Sequence, residues 1–134
     1  MKPFLLCLAL IGLAGPGSAH VLEGPTAPKG MKLLPGGEFA LDAETPSVPG
    51  HSLRVRFFEV EPGGVIPVHS HEGRPAIAVV IEGEMTEHRS DEEGPVVLGP
   101  GGISLEDKGL KHWWENTGTV PARIIGYDLY KRPE

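Results

Sequence analysis

The chain has little sulfur, few aromatic side chains and no cluster of basic residues. Its one cysteine, Cys7, excludes an internal disulfide. Aromatic residues make up 6% of the sequence, and 12 Lys and Arg are outnumbered by 18 Asp and Glu, so the formal charge is −6. An acidic chain without a basic patch argues against nucleic acid and against anionic membranes as partners.

The first 19 residues have the pattern of a secretory signal peptide. Lys2 supplies a positive charge, residues 4–14 are apolar, and Gly17 and Ala19 put small residues where a signal peptidase reads them. The apolar run is short of the roughly 20 residues that a membrane-spanning helix needs. We therefore expect cleavage after Ala19 and a periplasmic or secreted protein whose mature form has no thiol.

The remaining chain divides into two regions by composition. Residues 20–50 are rich in Pro and Gly, which excludes a long helix or a central strand. We expect an N-terminal arm there, with an edge strand at residues 38–41. Residues 51–134 show short β-prone runs between Gly, Pro and Asn turns, without a helical period, and this predicts an all-β sandwich or barrel domain. The predicted strands cover residues 53–60, 65–71, 76–81, 85–89, 96–98, 103–105, 112–115 and 122–130, with a turn at residues 61–64.

Three histidines form the most informative pattern in the chain. His69 and His71 are separated by one residue, so on a strand both side chains point to the same face. A third, His112, would come from a distant strand. Three neutral imidazoles suit a divalent transition metal, and the sequence does not distinguish Fe, Mn, Ni, Cu and Zn.

The residues around these histidines resemble the two motifs of the cupin superfamily. The matching residues, in type and spacing, are Gly63, His69, His71 and Gly83 for the first motif and Gly101, Gly109, His112 and Asn116 for the second. Two positions depart, because Ala76 replaces a glutamate and Asp107 replaces a proline. The resemblance implies a double-stranded β-helix, or jelly-roll barrel, with the three histidines as metal ligands. Dimerisation through an edge strand is also implied by the resemblance alone.

Ala76 stands where the family has its fourth protein ligand, and alanine cannot bind a metal. Water can fill the gap on a three-histidine centre, another side chain can replace the glutamate, or the protein can lack a metal. We favour the first, with Glu87 or His88 as auxiliary ligand or as a partner of a ligand. Their strand should pair with that of Ala76, and the turn length at residues 82–84 decides which of them faces inward. Glu72 is a further candidate by proximity in sequence.

Side chains beside the histidines predict a small-molecule cavity. Strand parity puts Ala76 and Ala78 on one face, which leaves space, and puts Trp114 on the face of His112 as an apolar wall. Arg56 lies on an early strand, where it either faces solvent or enters the interior and binds a carboxylate.

Together these features indicate an exported, metal-binding cupin that acts on a small organic molecule. Dioxygenase activity comes first among the redox and lyase reactions that an open metal face supports. The alternative is a non-catalytic protein that binds a small ligand or a metal, because fold does not determine function.

The leader pattern predicts that the exported protein begins at His20. Its intact mass, measured by mass spectrometry after expression with export, should correspond to residues 20–134. A soluble cytoplasmic product that retains residues 1–19 would contradict this prediction.

Overall fold

The computed structural model describes residues 21–42 and 47–134, so the predicted signal peptide lies outside the described residues. The described ranges contain eight β-strands and no α-helix, and the all-β prediction is confirmed. No helix in these ranges has the length and apolar character to cross a membrane. The strands are β1 (Lys29–Ala40), β2 (His51–Ser70), β3 (Ala76–Glu82), β4 (Met85–Arg89), β5 (Val96–Leu98), β6 (Ile103–Glu106), β7 (Lys111–Glu115) and β8 (Ala122–Lys131).

All strand pairs are antiparallel and form a nearly closed jelly-roll barrel, as predicted. The hydrogen-bonded order is β5-β4-β7-β2-β8-β3-β6, and β1 pairs with β2 outside this path. Consecutive strands are therefore often not neighbours, and residues far apart in the sequence meet in the barrel. This topology places β2 beside β7 and β3 beside β6, and those two contacts hold the candidate site.

Strand β2 is 20 residues long and continues through the segment where the sequence predicted a turn. Residues 51–60 pair with β8, and residues 65–70 pair with β7. Gly63 adopts φ 68°, and its N–H donates to the carbonyl of Asn116 at 2.8 Å. The predicted turn is wrong because the glycine lets the strand bend and change partners without reversing.

Strand β1 is longer than the predicted edge strand at residues 38–41. It pairs with β2 from Lys29 to Ala40 and includes Pro35. The proline is tolerated because the register shifts between Leu34 and Gly37, and because among the described strands only β2 pairs with β1. Within the Pro- and Gly-rich stretch, residues 29–40 thus form an edge strand of the barrel.

The apolar core lies at the end of the barrel next to Trp114. Its buried members are Val60, Ala78, Val80, Met85, Trp114, Ala122 and Ile124. Its smallest members, Ala78 and Ala122, lie on β3 and β8, and its largest, Met85 and Trp114, lie on β4 and β7. Partly buried side chains pack against these residues, namely Met31, Phe58, Ile66 and Leu98. This packing holds the strands that carry the histidines.

The outer face of the sheet carries a row of exposed apolar side chains. Ile77 on β3 is the direct partner of Leu105 on β6 and of Tyr127 on β8. The three are 45%, 62% and 43% exposed, respectively. Adjacent exposed apolar side chains of this kind are common at protein–protein contacts.

Asn116, which matches the second motif, ties three parts of the chain together. It is 1% exposed, and its Nδ2 donates to the carbonyls of Val60 at 2.8 Å and Val120 at 2.9 Å. Its Oδ1 accepts from the N–H of Gly118 at 2.9 Å. The side chain therefore fixes the turn after β7 against the bend in β2.

We expect Asn116→Ala to lower the free energy of unfolding by about 3 kcal/mol, because it leaves buried carbonyls without a donor. Chemical denaturation of the variant and the wild type measures this loss. Thr119→Ala, at an exposed position of the same turn, should change stability little. Equal stability of the Asn116 and Thr119 variants would show that the turn does not depend on the amide.

Candidate metal centre

The structure brings the three predicted histidines together. His69 on β2 is the direct cross-strand partner of His112 on β7, and His71 follows two residues after His69. The centroids of the three rings are 4.4–5.0 Å apart. The register shifts between Ile66 and His69, around Pro67, which has no N–H for the ladder. Without this irregularity Val68 would lie opposite His112; with it, His69 does.

Each ring is oriented by a hydrogen bond from its Nδ1. Nδ1 of His69 lies 2.8 Å from the carbonyl oxygen of Pro67, and Nδ1 of His71 lies 3.0 Å from that of Arg74. Nδ1 of His112 lies 2.6 Å from Oε1 of Glu87. Because carbonyl and carboxylate oxygens only accept, each Nδ1 carries the proton and donates it. Such partners orient metal-binding imidazoles in proteins.

The opposite nitrogens of the three rings converge on one point. Nε2 of His69 is 3.0 Å from Nε2 of His112, and Nε2 of His71 is buried with no hydrogen-bond partner among the described residues. Burial lowers the pKa of His69 to about 4 and that of His71 to about 3, so both rings are neutral near pH 7. Three unshared nitrogen lone pairs facing one another fit a bound transition-metal ion.

Glu87 and His88, the two predicted auxiliary residues, lie on opposite faces of β4. The prediction that this strand pairs with that of Ala76 is wrong, because β4 pairs with β5 and β7, and β3 pairs with β6 and β8. The carboxylate of Glu87 is buried and accepts hydrogen bonds from His112, Ser104 and Arg89. The ring of His88 instead stacks on Trp113, with centroids 3.8 Å apart. Glu87 therefore contacts the distal nitrogen of a candidate ligand, and His88 does not reach the centre.

Glu106 is the residue of the centre that the sequence reasoning missed. It lies on β6 directly opposite Ala76 on β3. Its Oε2 is 3.2 Å from Nε2 of His71, and its Oε1 is 3.9 Å from Nε2 of His112. Burial raises the pKa of Glu106 to about 7. Alternating burial along β6 marks Glu106 as inward, but only the pairing of β6 with β3 brings it to the histidines.

A small cavity of about 30 Å³, partly open to solvent, adjoins the centre. Ala76, Ala78 and Trp114, which were predicted to line a cavity, lie in its wall. Arg56, for which facing solvent was the alternative, also lines it. The other lining residues are Phe58, Ile66, His69, Glu106, Ile124, Gly126 and Tyr127. A mostly apolar wall with a few convergent polar groups is typical of a small-molecule site.

Three arginines near the cavity share one buried carboxylate. Asp128, with a side chain 1% exposed, accepts from Arg54 at 2.6 Å, Arg56 at 3.3 Å and Arg74 at 2.8 Å. Burial alone would raise the pKa of Asp128, but the hydrogen bonds from Arg54 and Arg74 outweigh it and the pKa is lowered. Three positively charged guanidiniums around one carboxylate give this group of side chains a net positive charge. Because Arg56 also lines the cavity, part of that charge lies at the cavity wall.

Comparison with known proteins places the chain among related sequences. Residues 56–128 match the sequence model of the family described as Cupin domain. A germin-like protein of Brassica napus is 30% identical over 62% of this chain and 42% of its own length. An auxin-binding protein of Prunus persica is 30% identical over 70% of this chain and 46% of its own length. The chain thus spans less than half the length of the curated relatives that it matches.

Solved structures show the same fold. A recombinant oxalate oxidase in complex with glycolate superposes with a TM-score of 0.59 and 23% identity, covering 81% of this chain and 55% of that chain. A Thermus thermophilus protein superposes with a TM-score of 0.54 and 21% identity, covering 73% and 85%, respectively. At these identities the similarity establishes the fold only. The chemistry has to be inferred from the residues of the site.

We expect Co²⁺ to stabilise the wild type and not His112→Ala. Bound metal stabilises the fold by mass action, by about 3 kcal/mol when free metal is about 100 times the dissociation constant. Adding a chelator to the Co²⁺-loaded protein should therefore lower the melting temperature of the wild type and leave that of His112→Ala unmoved. His51→Ala, whose ring contacts the carbonyl of Pro49 away from the centre, should behave as the wild type. Equal Co²⁺ uptake by the wild type and the His112 variant would contradict a shared site.

Proposed function

The chain belongs to the cupin domain family, and from this membership and the geometry of the centre we propose that it is an exported metal-dependent enzyme that acts on a small organic anion. The observation that carries the proposal is the convergence of three Nε2 atoms beside an apolar cavity with an arginine in its wall. Because the chain spans less than half of its curated relatives, the substrate class is taken from the site.

In this proposal His69, His71 and His112 hold a divalent transition metal, one of Fe, Mn, Ni, Cu and Zn. When bound, such an ion supplies Lewis-acid or redox chemistry. The protein contributes orientation, because the bonds from each Nδ1 fix the rings before any ion arrives. Redox or lyase chemistry, with oxygen-dependent cleavage first, is the reaction class that we assign to the centre.

The anionic character of the substrate is inferred from Arg56. Its Nε is buried without a hydrogen-bond partner among the described residues, while its Nη2 reaches Asp128 at 3.3 Å. Burial lowers the pKa of Arg56, yet an arginine stays charged at any pH relevant to a protein. A partly buried, under-paired guanidinium at a cavity wall is a donor for a carboxylate or another planar anion. Phe58 and Trp114 line the same small cavity, so only a small ligand fits beside the centre.

A non-catalytic binding protein is the second candidate. It is favoured by the contact of all three arginines with Asp128, since a guanidinium already paired with a carboxylate is a weaker partner for a ligand. In that case the same centre would hold a metal or a small anion without converting it.

We also propose that the protein forms homodimers through the outer sheet face. The exposed row of Leu105, Ile77 and Tyr127 spans three neighbouring strands, and burying it against the same row of a second copy would remove apolar surface from water.

We expect Arg56→Gln to weaken binding of glycolate to the Co²⁺-loaded protein about 10- to 100-fold, because a hydrogen bond to a charged group contributes about 1.5–3 kcal/mol. Titration calorimetry measures the change. Arg123→Gln is the matched control, since Arg123 lies on β8 and pairs with Glu59 and Glu82 at the exposed surface. Equal glycolate affinity in all three proteins would contradict an anion site at Arg56.

The same loaded protein separates an enzyme from a binding protein. Oxygen consumption and carbon dioxide release are followed with a panel of small carboxylates, with His112→Ala as the inactive control. Turnover by the wild type alone supports the enzyme. Tight binding of the panel without turnover would favour the non-catalytic alternative.

A further inference from the structure

We propose that Glu106 is the fourth protein ligand of the metal centre and supplies, from strand β6, the carboxylate that the family carries at the position of Ala76 on β3. The inference rests on the proposed metal centre and goes beyond it, because it assigns a ligand that neither motif contains. It replaces the interpretation in which water fills the position left by Ala76.

The register of the sheet allows a glutamate on β6 to replace a glutamate on β3. Ala76 and Glu106 are direct partners in the antiparallel pair of β3 and β6. Cβ atoms of such partners lie about 5 Å apart, a distance that the side chain of a glutamate spans. Both residues face the same cavity. A carboxylate attached at position 106 can therefore occupy the space that a glutamate at position 76 would fill.

The contacts of Glu106 point to a cation. Its Oε2 is 3.2 Å from Nε2 of His71 in a contact that lacks hydrogen-bond geometry, and its Oε1 is 3.9 Å from Nε2 of His112. Since both rings donate through Nδ1, these nitrogens present lone pairs to the carboxylate. Lone pairs at this separation repel unless a proton or a metal ion lies between them.

Glu87 and Glu106 have different surroundings, which indicates different roles. Glu87 is 1% exposed and accepts from His112, Ser104 and Arg89, so its charge is compensated by the protein. Glu106 is 6% exposed, and its carboxylate faces Nε2 of His71 at 3.2 Å and Nε2 of His112 at 3.9 Å, two nitrogens that carry no proton when the rings donate through Nδ1. A buried carboxylate without a partner is costly, and a metal ion removes that cost. We therefore assign Glu87 to orienting His112 and Glu106 to binding the ion.

Four protein ligands change what the centre leaves to a substrate. Three imidazoles and one carboxylate would leave an ion fewer positions for substrate or water than three imidazoles alone. Ala76 then contributes space at the cavity wall instead of a vacant position on the metal.

The test measures Co²⁺ affinity by competition with a chromophoric chelator, together with the visible absorption of bound Co²⁺. We expect Glu106→Gln to lower the affinity by at least about 100-fold, the upper end of the loss when only a partner of a ligand is removed. The absorption of any bound Co²⁺ should also change, because a carboxylate has left the ion. Glu72, a candidate ligand by sequence, is exposed and belongs to neither group of described residues that could hold a metal. Glu72→Gln should therefore match the wild type in both measurements.

A strand-exchange variant provides an independent test, including the case in which Glu106→Gln fails to fold. Glu106→Ala should lose Co²⁺ affinity, and adding Ala76→Glu to it should restore the affinity to within about tenfold of wild type. Wild-type affinity and absorption in Glu106→Gln, or no recovery in the double variant, would overturn the assignment and leave the three-histidine centre intact. A wild type that takes up no Co²⁺ would overturn both.

Discussion

The hydrogen-bond ladder of strand β2 is the constraint on which the rest of the structure depends. One half of the strand pairs with β8 and sets Arg54 opposite Asp128, and the other half pairs with β7 and sets His69 opposite His112. A slip of one residue in either half would turn these side chains to the other face of the sheet. The carbonyl and the side-chain amide of Asn116 hold the bend at Gly63 through hydrogen bonds to Gly63 and Val60. The bend thereby fixes the register of one half of β2 relative to the other.

Two groups of charges of opposite character meet at the cavity. On one side lie nitrogen lone pairs and the carboxylate of Glu106, which together attract a cation. On the other side lie three guanidiniums that share Asp128 and attract an anion. In a buried site of low dielectric such interactions are stronger than in water. A small anion that binds both the ion and Arg56 would complement the two groups at once.

Much of this architecture could be predicted from the sequence because local patterns determine it. The spacing of His69 and His71 and the motif around His112 predicted three histidines on one face, and strand parity predicted Ala76, Ala78 and Trp114 at the cavity. Glu106 could not be found in this way, because its role depends on which strand lies beside β3. The choice between Glu87 and His88 likewise depended on register, which a sequence read one strand at a time does not contain.

The bonds that orient the three imidazoles all come from the protein itself, through Pro67, Arg74 and Glu87. Little side-chain freedom therefore remains to be lost when an ion enters, unlike in small zinc domains that fold only around their metal. The barrel can complete its folding before any ion enters the proposed centre. Since imidazole sites of this kind accept several first-row metals, the supply of ions in the compartment where folding ends would then decide which one the protein carries.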